Sequence, residues 1–72
     1  MSRTVIVTGG TGYIGSHVAR AFKQNGDRVH IIDREYRPHT VKDIDGFCIA
    51  DYISEQALAM LINLEPDVIV HC

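Results

Sequence analysis

Seventy-two residues, 46% of them hydrophobic, allow one small globular domain at most, and a chain this short buries only roughly 60% of its unfolded surface. Seven basic against nine acidic residues give a net charge of −2, which argues against nucleic acid or an anionic membrane as the main partner. Two cysteines, Cys48 and Cys72, are too few and too far apart for a disulfide framework or a zinc site, and no apolar run reaches membrane length, so free thiols and a cytoplasmic location are expected.

Residues 4–7 (TVIV) are β-branched and apolar throughout, which suits a strand covered on both faces, as in a parallel sheet. The following stretch, TGGTGYIGSH, holds four of the chain's six glycines. Glycine is the costliest residue to order, so something must come close to this backbone. Beyond it, Ile14, Val18, Ala21 and Phe22 recur at helical spacing and predict an amphipathic helix with Arg20, Lys23 and Gln24 outside. Asn25-Gly26 supplies the left-handed stop of a Schellman-type cap. Residues 28–33 (RVHIID) predict a second strand, and residues 34–45, with Pro38 and several charges, a surface loop.

Residues 47–50 (FCIA) predict a third, short strand. Ser54 suits a helix N-cap, and Glu55 places a negative charge in the first turn, where the helix dipole favours it. Leu58, Leu61 and Ile62 form the apolar stripe of this second helix, which Glu65-Pro66 ends. The final run DVIVHC reads as a buried strand with no turn after it. Complete domains seldom stop there, so the chain is expected to be the truncated, N-terminal part of a longer fold.

Strands separated by single helices imply parallel pairing with right-handed crossovers. If the third strand lies outside the second, the second helix must return over the opposite face and place the fourth strand beside the first. The expected architecture is therefore α/β, the first half of a doubly wound parallel sheet of the Rossmann type, in the order 3-2-1-4. The winding reverses between strands one and four, and the glycine stretch lies at that crevice.

Gly9, Gly12 and Gly15 each have a mechanical role in a dinucleotide site. Gly9 permits the turn out of the first strand, Gly12 leaves room for a pyrophosphate against the backbone, and Gly15 allows close helix packing. The amides around Tyr13 and Ile14 then face the phosphates, with the helix dipole behind them. In such motifs an acidic residue stands about 20 residues further on and accepts hydrogen bonds from the adenosine ribose; Asp33 holds that place. It would also repel a 2′-phosphate, favouring NAD over NADP, although Arg34 beside it can pair with a phosphate or stack on adenine. A P-loop reading fails because Gly15 is followed by Ser16-His17 and not by lysine.

With these residues in place, TGGTGYIGSH after a first strand resembles the extended short-chain dehydrogenase/reductase family. The GYIGSH run is most similar to its NAD-dependent nucleotide-sugar epimerases and dehydratases, the UDP-glucose 4-epimerases in particular. The resemblance implies that Asp33 is the ribose acid and that Ala50-Asp51-Tyr52 matches a segment whose aspartate and next amide hold adenine. Tyr52 stands where the family has an aliphatic residue. The resemblance also implies a nucleotide-sugar substrate and hydride transfer at the sugar C4. It places the catalytic Tyr-x-x-x-Lys, and any oligomer contacts, beyond this portion. Tyr13, Tyr36 and Tyr52 are followed at that spacing by His17, Thr40 and Gln56, so no catalytic residue is expected here and the chain alone should be inactive.

The remaining polar residues have ordinary readings. His17, His30, His39 and His71 fall on different elements, which does not favour a metal site. Cys48 suits a core position, Tyr13 equally a groove or a packing role, and Arg34, Arg37 and Lys42 a solvated loop. Alternatives to the epimerase are a dehydratase or reductase of the same family, a non-catalytic dinucleotide-sensing module, and a structural product with a vestigial glycine loop.

Overall fold

The computed structural model describes residues 3–35, 44–51 and 54–72. Its elements are β1 (Thr4–Thr8), α1 (Tyr13–Gln24), β2 (Arg28–Asp33), β3 (Gly46–Ile49), α2 (Glu55–Leu64) and β4 (Val68–His71). All four strands are parallel and lie in the order β3-β2-β1-β4, the first half of a doubly wound sheet, as the strand and helix sequence predicts. β1 is central, pairing from Thr4↔Arg28 to Thr8↔Ile32 on one side and from Val5↔Val68 to Thr8↔His71 on the other. β3 begins one residue earlier than expected, at Gly46. Most of the predicted loop, with Arg37, His39 and Lys42, lies outside the described residues.

Alternation along β1 and β2 divides the core into two layers. Val5, Val7, Val29 and Ile31 pack with Ala19 of α1 on one face, while Ile6 and Ile32 pack with Ala57 of α2 on the other. Cys48 joins the second layer, as expected for a core thiol. Each helix keeps part of its predicted stripe inward, Val18 and Phe22 in α1 and Leu61 in α2, but the stripe is rotated toward smaller neighbours. In α1 the inner positions are Gly15, Val18, Ala19 and Phe22, while Ile14 is 68% exposed. In α2 they are Ala57, Met60, Leu61 and Leu64, while Leu58 and Ile62 face outward. Small residues take the closest positions because the helix backbone must approach the sheet there, and the large apolar side chains flank them.

The helix ends follow the expected chemistry. The amide of Asp27 reaches the carbonyl of Phe22 at 3.2 Å and that of Gly26 the carbonyl of Lys23 at 3.0 Å, with Gly26 at φ 92. This is a complete Schellman motif. Ser54 caps α2 by accepting the amide of Ala57 at 3.2 Å. The chain leaves α2 through Glu65 in the left-handed region, and Pro66 then bars further helix.

Three aspartates close the amino edge of the sheet. Asp27 accepts the amide of Arg3 at 3.3 Å, Asp67 that of Thr4 at 2.8 Å, and Asp45 that of Val29 at 2.7 Å. Each precedes its own strand and satisfies an amide at the start of the neighbouring one, where the ladder offers no acceptor. Asp27 also pairs with the Arg3 guanidinium at 3.1 Å, and Asp45 with the Lys23 ammonium at 2.9 Å.

The side-chain hydrogen bond from Arg3 holds the Asp27 carboxyl below the usual carboxylate range, and that from Lys23 does the same for Asp45, in each case against the opposing effect of burial. Because these folded-state values are depressed, the native chain binds fewer protons than the unfolded one as pH falls. The contribution is complete above the unfolded carboxylate value of about 3.9 and is lost as pH drops through the lower folded values. The urea midpoint of the chain should therefore fall on acidification below about pH 4, and Asp45→Asn should flatten that fall. An unchanged slope in the variant would exclude Asp45 as a source.

Candidate functional site

The winding reverses on either side of β1, and its carboxyl end opens there into the glycine turn. Gly9 adopts φ 68 and donates its amide to the Ile32 carbonyl at 2.8 Å; its own carbonyl accepts the amide of Gly12 at 3.1 Å. A Cβ at Gly9 would lie 2.7 Å from the Cys72 carbonyl oxygen. At Gly15 it would lie 2.0 Å from the Gly9 carbonyl oxygen, so the bare position serves the turn directly and not, as expected, helix packing on the sheet. Gly10, in the turn ahead of α1, is the glycine that lies against the sheet, where an added Cβ would meet the Ile31 side chain at 2.7 Å.

Gly12 is different. Its nearest obstacle is the Gly9 oxygen at 3.4 Å, an ordinary contact, so nothing in the described chain requires a glycine there. Gly12 is also the N-cap of α1 and supplies no capping side chain. Helix geometry leaves the amides of Tyr13, Ile14 and Gly15 without an intrahelical acceptor, at the positive end of the dipole.

Asp33 ends β2 across the same opening. Its Oδ2 accepts the Thr11 amide at 3.1 Å and the Thr11 hydroxyl at 2.6 Å, while Oδ1 accepts the Glu35 amide at 3.1 Å. Burial alone would raise this carboxyl, but these bonds outweigh it and hold the group below its ordinary range, ionised at neutral pH. Thr11 escapes the sequence reading because it stands between two glycines at a place to which the glycine spacing assigns no residue type. The available signal is a hydroxyl residue in a turn facing a carboxylate at the end of the adjacent strand.

Two adjoining clefts share Gly9, Asp33 and Cys72. The wider one, about 460 Å3, runs along Gly12, Tyr13, Ile14 and Gly15. The narrower one, about 130 Å3, is lined by Thr8, Ile32, Arg34 and Ala50. Tyr13 is 82% exposed and meets the His17 ring edge-on at 4.9 Å, so it flanks the groove and packs on its own helix at once. Ala50 faces the narrow cleft. Asp51 follows it as an exposed residue outside the lining, its carbonyl accepting the Ser54 amide at 2.9 Å. Tyr52 lies outside the described residues. Behind the opening, Thr8 Oγ1 and His71 Nδ1 share a hydrogen bond at 2.7 Å that ties the end of β1 to β4.

Amide donors at a helix N-terminus thus stand beside a fixed, ionised acceptor. This arrangement suits a diphosphate joined to a ribose diol, and the open approach at Gly12 gives such a group room to sit. Among the described residues, no helix is long and apolar enough to cross a membrane.

Residues 5–72 match the family model described as the NAD dependent epimerase/dehydratase family. UDP-glucose 4-epimerase 1 of Oryza sativa subsp. japonica is 32% identical over 83 residues, covering 96% of this chain and 23% of that protein. The Bordetella bronchiseptica enzyme WbmH in complex with NAD+ superposes with a TM-score of 0.79 at 32% identity, over 100% of this chain and 26% of that one. The UDP-glucose 4-epimerase of Thermotoga maritima, solved with UDP-glucose, superposes with a TM-score of 0.85 at 25% identity, over 96% and 23%. The chain spans about a quarter of the length of each of these proteins. A matching family model over nearly the whole chain, with the same half-sheet and glycine turn beneath it, makes this chain a member of the NAD-dependent epimerase/dehydratase family.

Proposed function

We propose that this chain holds the adenosine and pyrophosphate half of NAD within a nucleotide-sugar epimerase of the UDP-glucose 4-epimerase kind. Bound NAD would supply a hydride acceptor and donor for the sugar C4. The residues of this chain bind and orient. The amides of Tyr13, Ile14 and Gly15 receive the pyrophosphate over Gly12, and Asp33 accepts the adenosine ribose hydroxyls. Arg34 flanks the adenosine end, and Asp51 with Tyr52 completes the adenine contact. The Asp33 carboxylate disfavours the extra phosphate of NADP. The observation that carries this reading is Gly12, a glycine the fold does not need, at an uncapped helix N-terminus facing an ionised Asp33. The NAD+ complex of the Bordetella relative supports it.

Calorimetric titration of the chain tests the proposal. NAD is expected to bind more tightly than NADP. Gly12→Ala should weaken NAD by tenfold or more, about 1.4 kcal/mol, while changing stability by no more than about 1 kcal/mol, because its φ of −74 suits alanine and the weaker N-cap offsets the entropic gain. NAD should also slow alkylation of the exposed Cys72, which lines both clefts, and leave half-buried Cys48 unaffected. A folded chain that gives no NAD binding overturns the proposal.

A further inference from the structure

We propose that Thr11 is a positioning residue that sets the preference between the two nicotinamide dinucleotides, by latching Asp33 in place. The inference rests on the reading of the site given above and concerns a residue that contacts Asp33, not the reacting atoms.

Thr11 is 3% exposed and directs two donors at one oxygen: its amide at 3.1 Å and its hydroxyl at 2.6 Å both meet Asp33 Oδ2. The hydroxyl also lies 3.2 Å from the Glu35 carbonyl, but it has a single proton. The shorter, charge-assisted bond to the carboxylate takes it. Oδ2 is thereby engaged twice by Thr11, which leaves Oδ1, the acceptor of the Glu35 amide, as the oxygen for a ribose hydroxyl.

A ribose diol needs an acceptor that stays ionised and does not turn. A 2′-phosphate needs the opposite: the carboxylate must swing away or take up a proton. Thr11 resists both, since rotation breaks the 2.6 Å bond and both donors favour the charged form. Arg34, exposed beside Asp33 on the same narrow cleft, is the group a 2′-phosphate would pair with once the carboxylate yields. The Thr11 hydroxyl therefore decides which of the two neighbours, Asp33 or Arg34, meets the ribose 2′ position. A merely structural role, holding the turn at Glu35, would weaken both dinucleotides alike.

The test is the ratio of NAD and NADP dissociation constants for the wild-type chain and for Thr11→Val, Thr11→Ala and Thr11→Ser. Thr11→Val keeps the shape without the donor, and Thr11→Ala only removes atoms, so one stands in should the other fail to fold. Both are expected to weaken NAD about tenfold and NADP less, narrowing the preference, with serine restoring the wild-type ratio. In the dinucleotide-free chain, carbon-detected NMR should show the Asp33 carboxyl titrating at higher pH in Thr11→Ala than in wild type. An unchanged ratio or an unmoved Asp33 titration overturns the role of Thr11 alone. A folded wild-type chain that binds neither dinucleotide overturns the reading of the site, and this inference with it.

Discussion

Gly15→Ala is expected to lower the unfolding free energy by about 2–3 kcal/mol, the cost of forcing atoms into a filled space. The added Cβ would lie 2.0 Å from the Gly9 carbonyl oxygen, 2.8 Å from its carbon and 2.9 Å from the Gly10 Cα, and all three are backbone atoms that no rotamer change can move. Relief requires sliding the first turn of α1 away from the glycine turn. Gly9 cannot follow, because its amide is bonded to Ile32 and its left-handed φ is already set. The helix-propensity gain of alanine, up to about 1 kcal/mol, does not offset this. A domain of this size has only about 3–5 kcal/mol in total, so half or more of it would go. The measurement is the urea midpoint at constant slope, and a variant as stable as wild type would contradict the packing assigned to Gly15. Set beside Gly12→Ala, which should fold normally and bind NAD poorly, it separates the glycine the fold requires from the one the ligand requires.

Ile6→Ala should cost about 3 kcal/mol, within the range for removing a buried isoleucine side chain. Ile6 is fully buried on the central strand, and with Ile32 and Ala57 it forms the buried centre of the layer under α2. The opposite layer, under α1, contains neither Ile6 nor Ile32. The loss should therefore be uneven: amide exchange in α2 should accelerate well before exchange in α1. That outcome matters for the site, because Ala50 and Asp51 lead into α2. Equal acceleration in both helices would show that the layers open as one unit.

The element order, the 3-2-1-4 sheet and the Schellman stop at Gly26 were all legible in the sequence, because each depends on local residue type and chain connectivity. The faces of the helices were legible only in part, through Val18, Phe22 and Leu61. Ile14, Leu58 and Ile62 look like core by hydrophobicity, yet a helix lying close on a sheet puts its smallest residues, Ala19 and Ala57, at the contact. Within the site, the glycines and Asp33 announce themselves through spacing. Thr11 does not, since its importance comes from a contact made only when β1 and β2 stand side by side. The division of labour between Gly10 and Gly15 is equally a matter of what lies opposite each Cα.

The aspartates at the amino edge bear on how the strands find their alignment. β1 reads TVIVT and β4 VIVH, so sliding one past the other still sets apolar residues against apolar ones, and hydrophobicity alone selects the alignment weakly. Asp67 accepting Thr4, Asp27 accepting Arg3 and Asp45 accepting Val29 remove that freedom, because any slip strands a carboxylate beside the wrong amide. Strands fixed at one end are fixed at the other. The three carboxylates thus act as stops that bring Gly9, Asp33 and Cys72 level at the far end of the sheet, a whole strand length from anything they touch.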